Sequence, residues 1–262
     1  MRKNSRLLLT LRPLLGSALL WLATQANALT SDEITSRGWV RIGVLAGQPL
    51  YGSTNEKGQM VGYDIDVAQV LAGYLGVKAE LIPLPPPARI NALLDGKVDF
   101  LVATLAPTPE RAKLVLFTEP YNAFRMVAVA NASLPLAGLD ELRGKRVSLN
   151  QGSSQESYLL KTNLAGMQLQ RYLDDTLAFQ AVVANQVDVV VLPETVAREA
   201  ILRHPDAKLA VKFTLFNQGN AMAVKLPEIE LRNWLNKAID RMRASGELDK
   251  ISIKWTGSAA PK

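Results

Sequence analysis

Two short stretches carry the residue types best suited to holding an anion. In "ATLAPTPERAKLVLFTEPY", residues 103 to 121, an apolar run ends and Thr108, Pro109, Glu110 and Arg111 follow. The pattern predicts a strand whose carboxyl end, where open α/β sheets take their ligands, leads into a short helix opened by Thr108 to Arg111. Backbone N–H groups at such a start favour negative charge. A guanidinium there can grip a carboxylate through two parallel hydrogen bonds. A surface arginine paired with Glu110 or Glu119 fits the same pattern. The second stretch is "NQGSSQE", residues 150 to 156, after the strand-like "RVSL". Gly152 permits a tight turn, and Ser153 and Ser154 present hydroxyls and N–H groups at a helix N-terminus. Ser153 and Glu156 also have the spacing of a capping box, and one helix end can serve as both cap and ligand site. One anion-friendly helix start in each half of the chain, facing a shared cleft, is the predicted constellation.

Other chemistry is scarce. One histidine and no cysteine exclude a histidine- or cysteine-rich metal site and any disulfide. The chain has no G-x-S-x-G, P-loop or G-x-G-x-x-G pattern. His204, in "LRHPD", reads as a surface or capping residue at a helix end. Asp64 and Asp66 have the look of a catalytic pair, but they stand at a helix start, where acidic side chains satisfy unpaired N–H groups and the helix dipole. No catalytic residue, metal or cofactor is expected.

The elements that must position these residues alternate between strand and helix. "WVRIGVLAG" (39–47), "KAELIPL" and "VDFLVATL" read as strands. Their near-continuous apolar character suits parallel strands covered on both faces. "YDIDVAQVLAGYLG" places Val67, Val70, Leu71 and Tyr74 on one helical face, with Gly76 to end it. "INALLDGKVDFLVATL" (90–105) aligns without a gap with "FQAVVANQVDVVVLPE" (179–194), matching Ala92, Val98 and Asp99 to Ala181, Val187 and Asp188. The echo predicts two α/β lobes of similar construction. No low-complexity linker separates them, so strands near 122–130 and 214–222 are expected to join them around a hinged cleft. The C-terminal amphipathic helix carries Leu231, Trp234, Leu235, Ala238 and Met242 on one face, and Gly246 breaks it before a shorter helix.

At the amino end, Arg2, Lys3, Arg6 and Arg12 precede "PLLGSALLWLATQANA", an apolar run closing on Ala26-Asn27-Ala28. This is the pattern of a secretory signal peptide, 1–28, rather than a membrane anchor. Its removal takes Lys+Arg from 30 to 26 against 24 Asp+Glu, a net charge of +2 with no basic run suited to nucleic acid. A monomeric periplasmic product is expected.

"VRIGV", "GQMVGYDIDVAQVLAGYLGVKAELIP", "RINALLDGKVDFLVATLAPTPERAKLVLFTEPY", "LRGKRVSLNQGSSQE" and "ASGELDKISIKWTG" occur in an order and spacing that cover almost everything after the signal. In these pieces the chain resembles the bacterial periplasmic solute-binding proteins of polar amino-acid ABC transporters. The resemblance implies an α/β, two-lobed periplasmic-binding-protein fold. Each lobe is a mixed, mostly parallel sheet with flanking helices, and two strands form the hinge. The first lobe takes residues 29–126 and 219–262, the second 127–218. It further implies a small carboxylate ligand, an amino acid or related organic acid, passed to an inner-membrane ABC permease. A dehydratase-like periplasmic enzyme and a ligand-loaded partner of a membrane sensor are the alternatives on the same scaffold.

Arg111 matches the family arginine that holds the ligand's α-carboxylate, and Ser153 and Ser154 match the second-lobe residues that help. Thr104, Ala106, Gln48, Tyr51 and Glu194 complete the expected ligand-binding set. Several of these depart from the family pattern. Ala106 stands where a hydroxyl is usual and keeps only its backbone N–H. Leu45 and Gln48 occupy first-loop positions that are often acidic and aromatic, with Tyr51 further along. Pro86 replaces a common wall aromatic. Pro193 takes the place of the aspartate that binds the α-ammonium, with Glu194 next to it. Either Glu194 turns into the cleft and meets an ammonium, or it points outward and starts the helix "TVAREAILR". In the second case the ligands are acids without an α-amino group.

Overall fold

The structure is a computed structural model that describes residues 28–260; the expected signal peptide, apart from Ala28, lies outside the described residues. In chain order the elements are α1 (Ser31–Arg37), β1 (Trp39–Leu45), β2 (Ser53–Thr54), β3 (Met60–Val61), α2 (Tyr63–Leu75), β4 (Lys78–Leu84), α3 (Arg89–Leu94), β5 (Phe100–Leu105) and β6 (Val115–Asn131). They continue with β7 (Arg146–Asn150), α4 (Ser154–Thr162), β8 (Gln168–Tyr172), α5 (Asp175–Val183), β9 (Val189–Pro193), α6 (Glu194–Arg203), β10 (Leu209–Lys225), α7 (Ile229–Ala244) and α8 (Glu247–Thr256). Eight strands form one series in the order β4-β1-β5-β10-β6-β9-β7-β8, and β2 and β3 form a small hairpin apart. The apolar runs of the sequence become its buried centre. Every residue of β5 is buried, as is every residue of β9, which is how strands covered on both faces read.

The architecture is α/β and two-lobed, and β6 and β10 are its hinge. Each is 17 residues long, and they pair antiparallel from Leu209↔Asn131 to Lys225↔Val115. One end of the ribbon serves the first lobe, where β5 pairs with β10 at Ala221 and Ala223. The other end serves the second, where β9 pairs with β6 over Met126 to Ala130. The ladder slips between Asn220 and Ala221, at the crossover. Buried amides fill that point: Gln218 Nε2 donates to Asn220 Oδ1 (2.5 Å), and Asn220 Nδ2 donates to Asn122 Oδ1 (2.5 Å). Paired buried amides fix register where apolar packing alone would not.

The terminal helices behave as their periodicity indicates. α2 ends at Gly76, whose φ of 68° is the left-handed cap that glycine adopts without penalty. α7 buries Leu231, Leu235, Ala238, Ile239 and Met242 and packs on β6 and β10, while α8 packs on α2 and α7.

The internal echo is structural as well as textual. Asp99, at the start of the first copy's strand, accepts from the backbone N–H of Arg41 (2.6 Å) and from its Nη2 (3.1 Å). Asp188 does the same for Arg146, at 2.8 Å and 2.7 Å. In each lobe one aspartate locks a parallel neighbour in register through the same pair of bonds. By the same alignment Thr104 in one lobe corresponds to Pro193 in the other.

Candidate ligand-binding site

The carboxyl ends of β5 and β7 and the hinge strands enclose a narrow polar cavity of about 20 Å³. Gln48, Pro86, Arg89, Thr104, Arg111, Ser153 and Ser154 line it, together with Phe124, Met126, Asn150, Gln155, Pro193 and Gln218. Arg111 spans the gap. Its Nη1 donates to the Ala106 carbonyl (3.0 Å) and its Nη2 to the Gly152 carbonyl (3.0 Å), on opposite walls. Burial lowers its pKa from the usual arginine value and Glu110 opposes that, so the group remains a cation near neutral pH.

The short helix expected to open with Thr108 to Arg111 is only a 3-10 turn, Arg111–Lys113. Val115 already pairs with Lys225 in the hinge ribbon, which leaves no length for a further turn. Charge at this wall therefore comes from the guanidinium and not from a helix dipole. The opposite wall is as expected. Ser153 is the N-cap of α4, and its hydroxyl accepts from the Glu156 N–H (3.2 Å). Glu156 closes the turn differently from a capping box, because its carboxylate accepts from the Gly152 N–H (2.7 Å). Ser154 donates its hydroxyl hydrogen to Gln218 Oε1.

Thr104 shows how the cavity wall is held. Its φ of 46° puts a β-branched residue in the left-handed region, which costs on the order of 1–3 kcal/mol and persists only where surrounding bonds impose it. Here they do. Its hydroxyl donates to Asp64 Oδ2 (2.6 Å), its N–H donates to the Tyr121 hydroxyl (2.9 Å), and its carbonyl accepts from Arg89 Nη1 (3.1 Å). Tyr121 in turn donates to Asp64 Oδ1 (2.6 Å). The kink turns the end of β5 so that Ala106 meets Arg111. Asp64 is thus not a helix cap. α2 has no side-chain cap bond, and Asp66 instead receives Lys254 Nζ and Trp255 Nε1.

Two expected contacts face elsewhere. Glu194 does not line the cavity. Its carboxylate receives Arg125 at 2.5 and 2.8 Å and Arg198 at 3.0 and 2.7 Å, on the side of a separate surface pocket. Burial pushes its pKa up, but the bonds from Arg198 and Arg125 outweigh this and hold it below the usual value. Pro193 ends β9 with an extended backbone, Glu194 begins α6, and the two arginines hold its carboxylate on that side. Tyr51 lines that second pocket too, and its hydroxyl is bonded to Thr195 Oγ1 (3.1 Å) across the lobes. Ala106 is not among the lining residues, and its carbonyl accepts from Arg111 Nη1 and from the Thr108 N–H (3.0 Å).

A family model of bacterial extracellular solute-binding proteins, family 3, matches residues 40–258. The chain belongs to this family. The histidine-binding periplasmic protein of Escherichia coli (strain K12) is 30% identical over 226 residues, covering 82% of this chain and 86% of that one. A solved ancestral arginine-binding protein bound to arginine superimposes with a TM-score of 0.79 at 34% identity, covering 84% of this chain and 98% of that one. The ancestral amino acid-binding protein AncCDT-1, described as a precursor of cyclohexadienyl dehydratase, gives 0.77 at 29% identity over 86% and 99%. Family 3 chains are solute-binding proteins, and no helix among the described residues is long and apolar enough to cross a membrane.

Sequence reasoning passed over Arg89, Asn150 and Gln218. Arg89 is only 4% exposed, and its Nε and Nη1 donate to the carbonyls of Pro86 (3.0 Å), Ala103 (2.8 Å) and Thr104. Burial and the charge of Arg111 push its pKa down to about 9, so it also stays cationic at neutral pH. A signal was present: an arginine opens the otherwise largely apolar "ARINALL" directly after the prolines of "PLPPP".

The buried carboxyls predict a pH dependence of stability. Burial raises the pKa of Asp64 from 3.8 to about 7 against the bonds from Thr104 and Tyr121, and burial likewise raises Asp175 from 3.8 to about 7. The folded state therefore binds more protons than the unfolded chain between these values, and stability falls as pH rises through about 7. The melting temperature is expected to be higher at pH 5 than at pH 8, by on the order of 2 kcal/mol of stability for each carboxyl. Asp64→Asn, which mimics the protonated acid, should flatten the slope. A wild-type melting temperature that rises over this interval would contradict the assignment.

Proposed function

We propose that this protein is a periplasmic receptor that captures a small carboxylate-bearing solute between its lobes and delivers it to an inner-membrane ABC permease. The observation that carries this reading is Arg111, a partly buried cation bridging both walls of the cavity opposite the Ser153–Ser154 helix start. A carboxylate entering there meets the N–H groups of the guanidinium not given to Ala106 and Gly152, together with the first N–H groups of α4. Lobe one is taken as 29–126 with 219–262 and lobe two as 127–218, so that closure is rotation about β6 and β10. The similarity to amino-acid-binding relatives supports a ligand of amino-acid size. A dehydratase on this scaffold would need a proton donor facing the ligand, and Glu194, ionised and facing away, is unsuited to that task.

The test is a thermal-shift screen of refolded mature protein against amino acids and small carboxylates. A binder at a hundredfold excess over its Kd should add about 2.7 kcal/mol of stability. Turnover of a stabilising compound during the screen would favour the enzyme instead.

A further inference from the structure

The charge inventory of the cavity points to a narrower ligand class. Among the described residues its lining contains two arginines, Arg89 and Arg111, and no aspartate or glutamate. Arg89 reaches the wall through the packed interior. Three of its hydrogen bonds go to carbonyl oxygens from Nε and Nη1, and among the described residues Nη2 has no partner. An arginine has five N–H donors, so the two on Nη2 remain for something in the cavity. Gln48 Nε2 is a further buried donor without a partner. On the side where an ammonium would have to be received, Pro193 offers no side-chain acceptor, and the neighbouring carboxylate of Glu194 is fully used by Arg125 and Arg198.

We propose that the cavity takes a small dicarboxylate without an α-amino group, one carboxylate on Arg111 and the helix start of α4, the other on Arg89 and Gln48. This rests on the carboxylate reading above and adds the second end of the ligand. The two guanidinium groups repel, as the effect of Arg111 on Arg89 indicates, and the buried carboxyls of Asp64 and Asp175 offset this only in part. A dianion neutralises both, whereas an ammonium would find in the lining the uncharged acceptor Asn150 Oδ1 and, among the described residues, no carboxylate. A monocarboxylate would leave Arg89 without its partner.

Calorimetry on the mature protein tests this with matched acids: succinate and glutarate, L-aspartate and L-glutamate, and butyrate. The dicarboxylates are expected to bind at least tenfold more tightly than both the amino acids of the same skeleton and the monocarboxylate. Arg89→Gln should lower succinate or glutarate to the level of butyrate. Because Arg89 also braces three carbonyls and its variant can lose the fold, Pro193→Asp provides the second arm. It puts an acid on the wall at the start of α6, and should cost the dicarboxylates at least tenfold while improving the amino acids. Amino acids binding more tightly than dicarboxylates, or butyrate matching succinate, would overturn the dicarboxylate inference and leave the carboxylate reading standing. Failure of every acid, with or without an amino group, would overturn both.

Discussion

Arg111→Ala is expected to weaken a carboxylate ligand at least tenfold while leaving thermal unfolding cooperative. A hydrogen bond to a charged group contributes about 1.5–3 kcal/mol, and a tenfold change in affinity needs only about 1.4 kcal/mol. Even one lost bond therefore meets the threshold. The fold should tolerate the change because Arg111 sits in a one-turn segment and, among the described residues, its side chain bonds only to the carbonyls of Ala106 and Gly152. Arg111→Lys should recover part of the loss. Lysine keeps the charge but replaces a planar fork with a point donor. Calorimetry giving wild-type affinity for Arg111→Ala would remove this residue from the site.

Gly152→Ala is expected to hold the lobes apart. Gly152 has φ 71°, and an added Cβ would lie 2.8 Å from Pro87 Cα and 3.0 Å from its nitrogen, both backbone atoms of the opposite wall. Backbone cannot step aside as a flexible side-chain tip can. The strain is relieved if the hinge opens, so the variant should populate an open form with a larger radius of gyration and bind at least tenfold more weakly. The left-handed conformation itself costs a non-glycine residue about 1–2 kcal/mol, and that part must be separated from the clash. Gly144→Ala supplies the control, since Gly144 has the same φ of 71° with nothing within 4 Å of its added Cβ. Small-angle scattering and calorimetry on both variants should show opening and weak binding for Gly152→Ala alone. Equal behaviour of the two would mean that the approach of Pro87 does not limit closure.

The local features of the site were largely legible in the sequence. Arg111, Ser153, Ser154 and Gln48 all line the cavity, and the Ser153 cap forms at the spacing read for it. So were the elements that carry them: β4 occupies the predicted "KAELIPL", and α2 ends at Gly76 as read. These features depend on periodicity and on end chemistry, both of which are local. The replacement of an expected aspartate by Pro193 was visible too, because it is a change of residue type at one position of a recognisable pattern.

What only the tertiary structure decided is where polar side chains point once several elements compete for them. Glu194 and Pro193 are adjacent, yet Arg125 on β6 and Arg198 on α6 claim the carboxylate and turn it away from the cavity. Asp64 has the position of a cap but instead bonds to Thr104 and Tyr121, brought there from 40 and 57 residues away. Arg89 shows no role in the sequence until Pro86, in the turn after β4, and the end of β5 give it three carbonyls beside the cavity. In each case the sequence supplies the group and its charge. Its partner is chosen by long-range packing, because a buried charge settles where the densest set of compensating donors or acceptors happens to converge.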